Sequence, residues 1–147
     1  DGKLHHIKPH GALYNAIAVD EILADLFIES SRNYLKDSFL YVPYNSVIEK
    51  VALKNNVKIK YEAFADRNYN NDLSLVSRTH KNALLVDETA VLNHVLYIIK
   101  NNQVKTISGS EKKIKVDTFC VHGDTKNAVE IVKYVRQNLE KQGFKIG

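Results

Sequence analysis

The sequence predicts an α/β fold with a mainly parallel sheet. Three observations carry that prediction. Short apolar runs alternate along the chain with longer stretches whose apolar residues recur at helical spacing. Strands that alternate with helices are joined by right-handed crossovers and lie parallel. Three of the predicted strands also run out into polar clusters: Lys8-Pro9-His10-Gly11, Phe64-Ala65-Asp66-Arg67 and His122-Gly123-Asp124-Thr125. In a parallel sheet such ends lie on one side, where α/β folds keep their chemistry, so the clusters are expected to converge.

Taken in order, Leu4 to Lys8 reads as the first strand, stopped by Pro9, which lacks an N–H. Gly11 allows a tight turn into a helical start at Ala12-Leu13-Tyr14. Asp20 is placed to cap a helix over 21–35, with Ile22, Leu23, Leu26 and Phe27 at helical spacing. The run 39–42 is a buried strand closed by Pro43, and a helix follows from about Asn45 to Lys54. Asn55-Asn56 ends it and 57–64 is the next strand. The polar stretch 65–82 is a long loop, of the kind that carries function or is disordered. A short strand over 83–86 precedes a helix capped by Asp87 and running to Lys100. The segments 104–107 and 112–116 form a hairpin around Ser108-Gly109-Ser110. A last strand over 118–121 leads to a helix capped by Asp124-Thr125 and ended by Gly143.

A chain of 147 residues with 44% hydrophobic and 26% charged residues suits one globular domain over 1–147. No apolar run approaches the roughly 20 residues that span a bilayer. Methionine is absent even at position 1, so the chain is expected to be a piece of something longer. The single cysteine, Cys120, rules out an internal disulfide; it reads as a buried inert thiol in a cytoplasmic protein. A net charge of +4 raises the question of nucleic acid. The lysines are scattered without interleaved aromatic residues, so a solvated basic surface is the better reading.

Among the polar clusters, extended backbone would point His6, Lys8 and His10 the same way. His10 and His122 are candidates for general acid or base, the work imidazoles do near neutral pH. Asp66 can orient an imidazole, act as a base or bind a metal, although Asp66-Arg67 can equally be a local ion pair. Arg67 and Arg78 offer planar forks of donors that suit a carboxylate. The helix start after Asp124-Thr125 favours an anion. His5 is expected to face away from His6, His80 to sit in a loop, and His94 on a helix surface. Zinc on His6, His10 and His122 finds no support in ligand spacing, and no nucleotide-phosphate loop is present.

Lys-Pro-His-Gly-Ala-Leu-Tyr-Asn at 8–15, Phe-Ala-Asp-Arg-Asn-Tyr at 64–69 and Cys-Val-His-Gly-Asp-Thr at 120–125 resemble the LamB/YcsF family in order and spacing. That family includes the A subunit of bacterial 5-oxoprolinase. The resemblance implies a TIM-like (β/α)7 barrel of the glycoside hydrolase/deacetylase type, here only its C-terminal part. It implies ATP-dependent hydrolysis of the 5-oxoproline lactam to glutamate, with ATP and Mg supplied in the assembled enzyme. Subunits B and C are the implied partners, and a homo-oligomer is possible. On this reading the catalytic residues are His10, Asp66, His122 and Asp124, and the substrate is bound by His6, Lys8, Asn15, Arg67 and Arg78. Two departures stand out. Family members carry an N-terminal part with Asn-x-Asp-x-Gly-Glu-like and Gly-Phe-His-Ala-Gly-Asp-like motifs, both missing here, so these residues alone are expected to be inactive. Ser77 replaces a usual Pro and Lys81-Asn82 a usual Pro-Gly, although Arg78 is kept. The alternatives are a metal-dependent deacetylase-like hydrolase and a non-catalytic carboxylate-binding subunit.

Overall fold

The computed structural model describes residues 2–147. Its contacts gather into two compact units, one ending at Glu62 and one running from Ala63 to Gly147.

The first unit contains β1 (His6–Ile7), α1 (Gly11–Ile17), α2 (Glu21–Leu35), β2 (Phe39–Val42) and α3 (Val47–Lys54), with β3 (Ile59–Phe64) leading out of it. The strands are parallel, as the alternation predicts: His6 lies opposite Phe39, and Leu40 opposite Ile59. Leu40 and Val42 point into a core built with Ile17, Ala24, Ile28, Ile48 and Val51 from the helices. Strand alternation then puts His6, Lys8, Tyr41 and Glu62 on the other face. An apolar face toward the helices and a polar, aromatic one away from them is the division expected of a sheet that carries a site.

The caps explain the helix starts. Asp20 accepts from the Leu23 N–H at 3.0 Å, as predicted. The next helix begins at Val47, later than expected. Ser46 caps it by accepting from the Glu49 N–H at 3.2 Å, while Asn45 sits in the left-handed region at φ 62°. The first strand is shorter than predicted, reduced to the two residues that pair with β2.

The second unit contains α4 (Glu88–Asn101), β4 (Gln103–Lys105), β5 (Glu111–Lys113), β6 (Thr118–Cys120) and α5 (Ala128–Lys141). Here β6 neighbours the end of β3, and the Ala65 N–H donates to the Cys120 carbonyl at 2.9 Å. The two helices pack through Val91, Leu92, Val95, Ile131, Val135 and Leu139. The hairpin is antiparallel, with Val104 opposite Lys112. The predicted strand over 83–86 is only an isolated bridge between Leu84 and Arg67. Cys120 is half-buried rather than buried. No helix among the described residues is long and apolar enough to cross a membrane.

Candidate functional site

In the second unit, chemistry gathers at Asp66. This carboxylate is fully buried, at 0% exposure. Its Oδ1 accepts from His122 Nδ1 at 3.0 Å, while Oδ2 accepts from the His122 N–H at 2.9 Å and from the Thr125 hydroxyl at 2.5 Å. Burial pushes its pKa up, but the bonds from His122 and Thr125 outweigh that and hold it below the ordinary carboxylate value. A charged carboxylate only accepts, so Nδ1 of His122 carries its proton toward Asp66 and Nε2 is the atom left for proton exchange. The His122 side chain is 24% exposed, half-open to whatever it serves. Its ring also stacks on Phe64, with centroids 5.1 Å apart and planes at 15°.

The bond from Thr125 corrects the expected role of Asp124-Thr125 as the helix cap. Helix α5 begins at Ala128 after Asn127, whose backbone is left-handed and whose side chain makes no cap bond. Thr125 is turned to Asp66, and Asp124 takes both terminal nitrogens of Arg78, at 2.5 and 3.3 Å. That pair is exposed, and Arg78 holds the Asp124 carboxyl below its usual range. Nor do Asp66 and Arg67 form a local ion pair. Arg67 is buried, its Nη2 donates to the Val76 carbonyl at 2.6 Å, and its Nε is enclosed without a partner. Burial, followed by the charge of Arg78, lowers its basicity, as for a cation short of acceptors.

Behind the strand end stands a second layer that helical spacing misplaces. His94 is not on the surface of α4: its Nε2 is enclosed. Burial pushes its pKa down to about 4, against a hydrogen bond with the Phe64 backbone and the charge of Asp66, which raise it. Tyr69 stacks on this ring at 6.1 Å, and its hydroxyl accepts from the Phe64 N–H at 2.7 Å. The residue whose ring lies on His122 is thus gripped through its backbone by Tyr69 and His94.

In the first unit, His6 stacks face to face on Tyr41, with centroids 4.0 Å apart. His5 does not face away from it: the two imidazoles meet edge to face, with Nδ1 atoms 3.2 Å apart. Burial, then the neighbouring His5, lowers the His6 pKa, while Glu62 raises it. Lys8 pairs with Glu62 at 2.6 Å, both side chains largely buried. His10 and Asn15 are exposed at the start and in the middle of α1. The unit therefore brings Lys8 to a carboxylate absent from the predicted set. Glu62 escaped notice because nothing in its neighbourhood names a partner: with Lys58 and Lys60 it reads as the polar side of an alternating strand.

A cavity of about 520 Å³ in the second unit, lined by Val95, Ile99, Phe119, Leu139 and Phe144 among others, includes none of the predicted site residues. Among the described residues no three His, Cys, Asp or Glu side chains are grouped to hold a metal ion.

The LamB/YcsF family matches the chain over residues 1–147. Relatives named as the A subunit of 5-oxoprolinase are 42% identical over 144 residues in Pyrococcus horikoshii and 41% identical over 146 residues in Campylobacter jejuni subsp. doylei. These alignments cover 98% and 99% of this chain but 56% and 57% of the relatives, so the chain spans little more than half their length. The crystal structure of the lactam utilization protein from Thermus thermophilus matches with a TM-score of 0.88 and 29% identity, covering 97% of this chain and 57% of that one. The α/β class read from the sequence is therefore the fold these proteins share.

Proposed function

The chain belongs to the LamB/YcsF family, and from that premise we propose that it is part of a 5-oxoprolinase, contributing to hydrolysis of the lactam of 5-oxoproline to glutamate. The observation that carries this reading is the buried Asp66 carboxylate holding His122 by Nδ1. Opening a lactam needs a group that takes a proton from water as it attacks the carbonyl and returns one to the departing nitrogen. An imidazole anchored at Nδ1 does both through Nε2. Asp66 does not meet the substrate on this reading. Its oxygens are occupied, and it acts through His122. Arg67, buried and short of acceptors, supplies charge for the substrate carboxylate, and Arg78 joins it by exchanging Asp124 for that carboxylate. Lys8, His10 and Asn15 are assigned to the same reaction by the family motif that carries them, and His6 by its place on the same side of the strand as Lys8.

An unstrained amide resists water, and ATP with Mg supplies the activation. The nucleotide is supplied in the assembled enzyme with subunits B and C, and no step here runs through it. The relatives' name, which makes each of them one subunit of an enzyme, supports such an assembly. The test is glutamate formation from 5-oxoproline by the complete subunit mixed with its partners and ATP. Turnover with the unsubstituted subunit, reduced about a hundredfold or more by His122→Gln, is expected. Unchanged turnover in His122→Gln would remove the imidazole from the mechanism.

A further inference from the structure

The imidazole of His122 is tied at one atom of its ring. Nδ1 lies 3.0 and 3.2 Å from the two oxygens of Asp66, which fixes that end and leaves the ring free to rock about it. Nε2, on the far side, swings most. What lies against the plane of the ring is Phe64, with centroids 5.1 Å apart and planes at 15°. Phe64 is in turn held from behind. It is 5% exposed, its N–H donates to the Tyr69 hydroxyl at 2.7 Å, and its backbone also bonds to His94. A buried N–H needs an acceptor, and here a side chain from the 65–82 loop supplies it rather than a neighbouring strand. Tyr69 is itself fixed: its ring lies on that of His94, and its carbonyl accepts from the Ile107 N–H at 2.8 Å. The next peptide joins β3 to β6 through the Ala65 N–H and the Cys120 carbonyl, two residues before His122. All of these groups belong to the second unit.

We propose that Phe64 is a positioning residue for His122: its ring sets the plane of the imidazole, and so the direction of Nε2, with Tyr69 and His94 as the supports that hold Phe64. The inference rests on the reading above in which Nε2 moves the proton, and it names what aims that atom. Asp66 fixes which nitrogen carries the proton, and Phe64 fixes where the other one points. The two tasks are separable. A carboxylate restrains an imidazole along a hydrogen bond, whereas a flat apolar face restrains it against tilting. Proton transfer tolerates little error, and a misplacement of about 1 Å can cost about a hundredfold. Leucine at this position would keep the apolar bulk and offer no flat face. Burial, which puts the His94 pKa at about 4, also keeps that support uncharged. Its hold on Phe64 therefore does not change as His122 gains and releases a proton.

The experiment follows the Nδ1–H proton of His122 by NMR in the complete subunit with isotope-labelled histidine, the resonance being identified by its loss in His122→Gln. A ring held in one plane keeps this proton on Asp66, and a ring that rocks lets it exchange with water. The unsubstituted protein and Phe64→Tyr, which retains a flat face, are expected to give a sharp resonance. Phe64→Leu is expected to broaden it and to speed its exchange about tenfold or more. Tyr69→Phe, which removes one hydroxyl, is expected to do the same to a smaller degree, and it decides the matter should Phe64→Leu fail to fold. A resonance as sharp in the folded variants as in the unsubstituted protein overturns the inference and leaves the lactam reading standing. Turnover by the complete subunit with its partners and ATP gives the second arm. There Phe64→Leu is expected to lower kcat about tenfold to a hundredfold with KM changed less than about twofold, and to add nothing once His122→Gln is present. An equal loss in the His122→Gln background makes Phe64 a support of the fold alone and overturns the inference. If the unsubstituted subunit turns over no lactam, the substrate reading fails, while a resonance broadened in Phe64→Leu still upholds the inference.

Discussion

Asp66 keeps a negative charge where almost no water reaches it, and three hydrogen bonds make that possible. Remove the charge and keep the shape, as in Asp66→Asn, and the amide can present its NH₂ to His122. Nδ1 then becomes an acceptor and Nε2 carries the proton, the wrong arrangement for a base. Turnover is expected to fall roughly a hundredfold or more, with a smaller change in KM. His94 allows a prediction about stability. Its pKa is about 4 in the folded protein and about 6.5 when unfolded, so between those values the unfolded chain binds more protons. Stability therefore falls as pH drops from about 6.5 to about 4, by on the order of 3 kcal/mol from this group. Urea midpoints measured across that range should drop, and His94→Asn, which does not titrate, should show a flatter dependence. A parallel decline in the variant would place the acid sensitivity elsewhere.

At the scale of the element, what was legible in the sequence was what is local. Asp20 and Asp87 cap α2 and α4 as read, each accepting from an N–H three residues on. Asp20→Ala is expected to cost about 1 kcal/mol, visible in the urea midpoint, and no loss at all would mean that α2 is held by packing alone. Helix α5 shows the opposite case. Asp124 and Thr125 are good capping residues, yet partners 46 and 59 residues away claim their side chains, and the helix starts later without them. Local propensity lost to tertiary hydrogen bonds there. His94 was misplaced for a related reason. The spacing of Val91, Leu92, Val95 and Leu96 turns it outward from the helix core, where Tyr69 and the Phe64 backbone meet it. Glu62 needed Lys8, 54 positions earlier, before it could be recognised as buried and half-satisfied. The family motifs, by contrast, singled out Asp66 and His122 without any of this, although not the hydrogen bond between them.

At the scale of the molecule, each of the two units carries chemistry of its own. The first places Lys8 against Glu62, and the second places His122 against Asp66. The reaction proposed for that chemistry follows from a relative, 42% identical, that is named as a 5-oxoprolinase subunit. The central claim is that Asp66 works through His122 rather than on the substrate. A double-mutant cycle tests it most directly: kcat for glutamate formation by the complete assembled enzyme, with Asp66→Asn, His122→Gln and both together. The double variant is expected to be no slower than His122→Gln alone, because without the imidazole the carboxylate has nothing left to orient. Losses that simply multiply would give Asp66 an independent role and contradict the account.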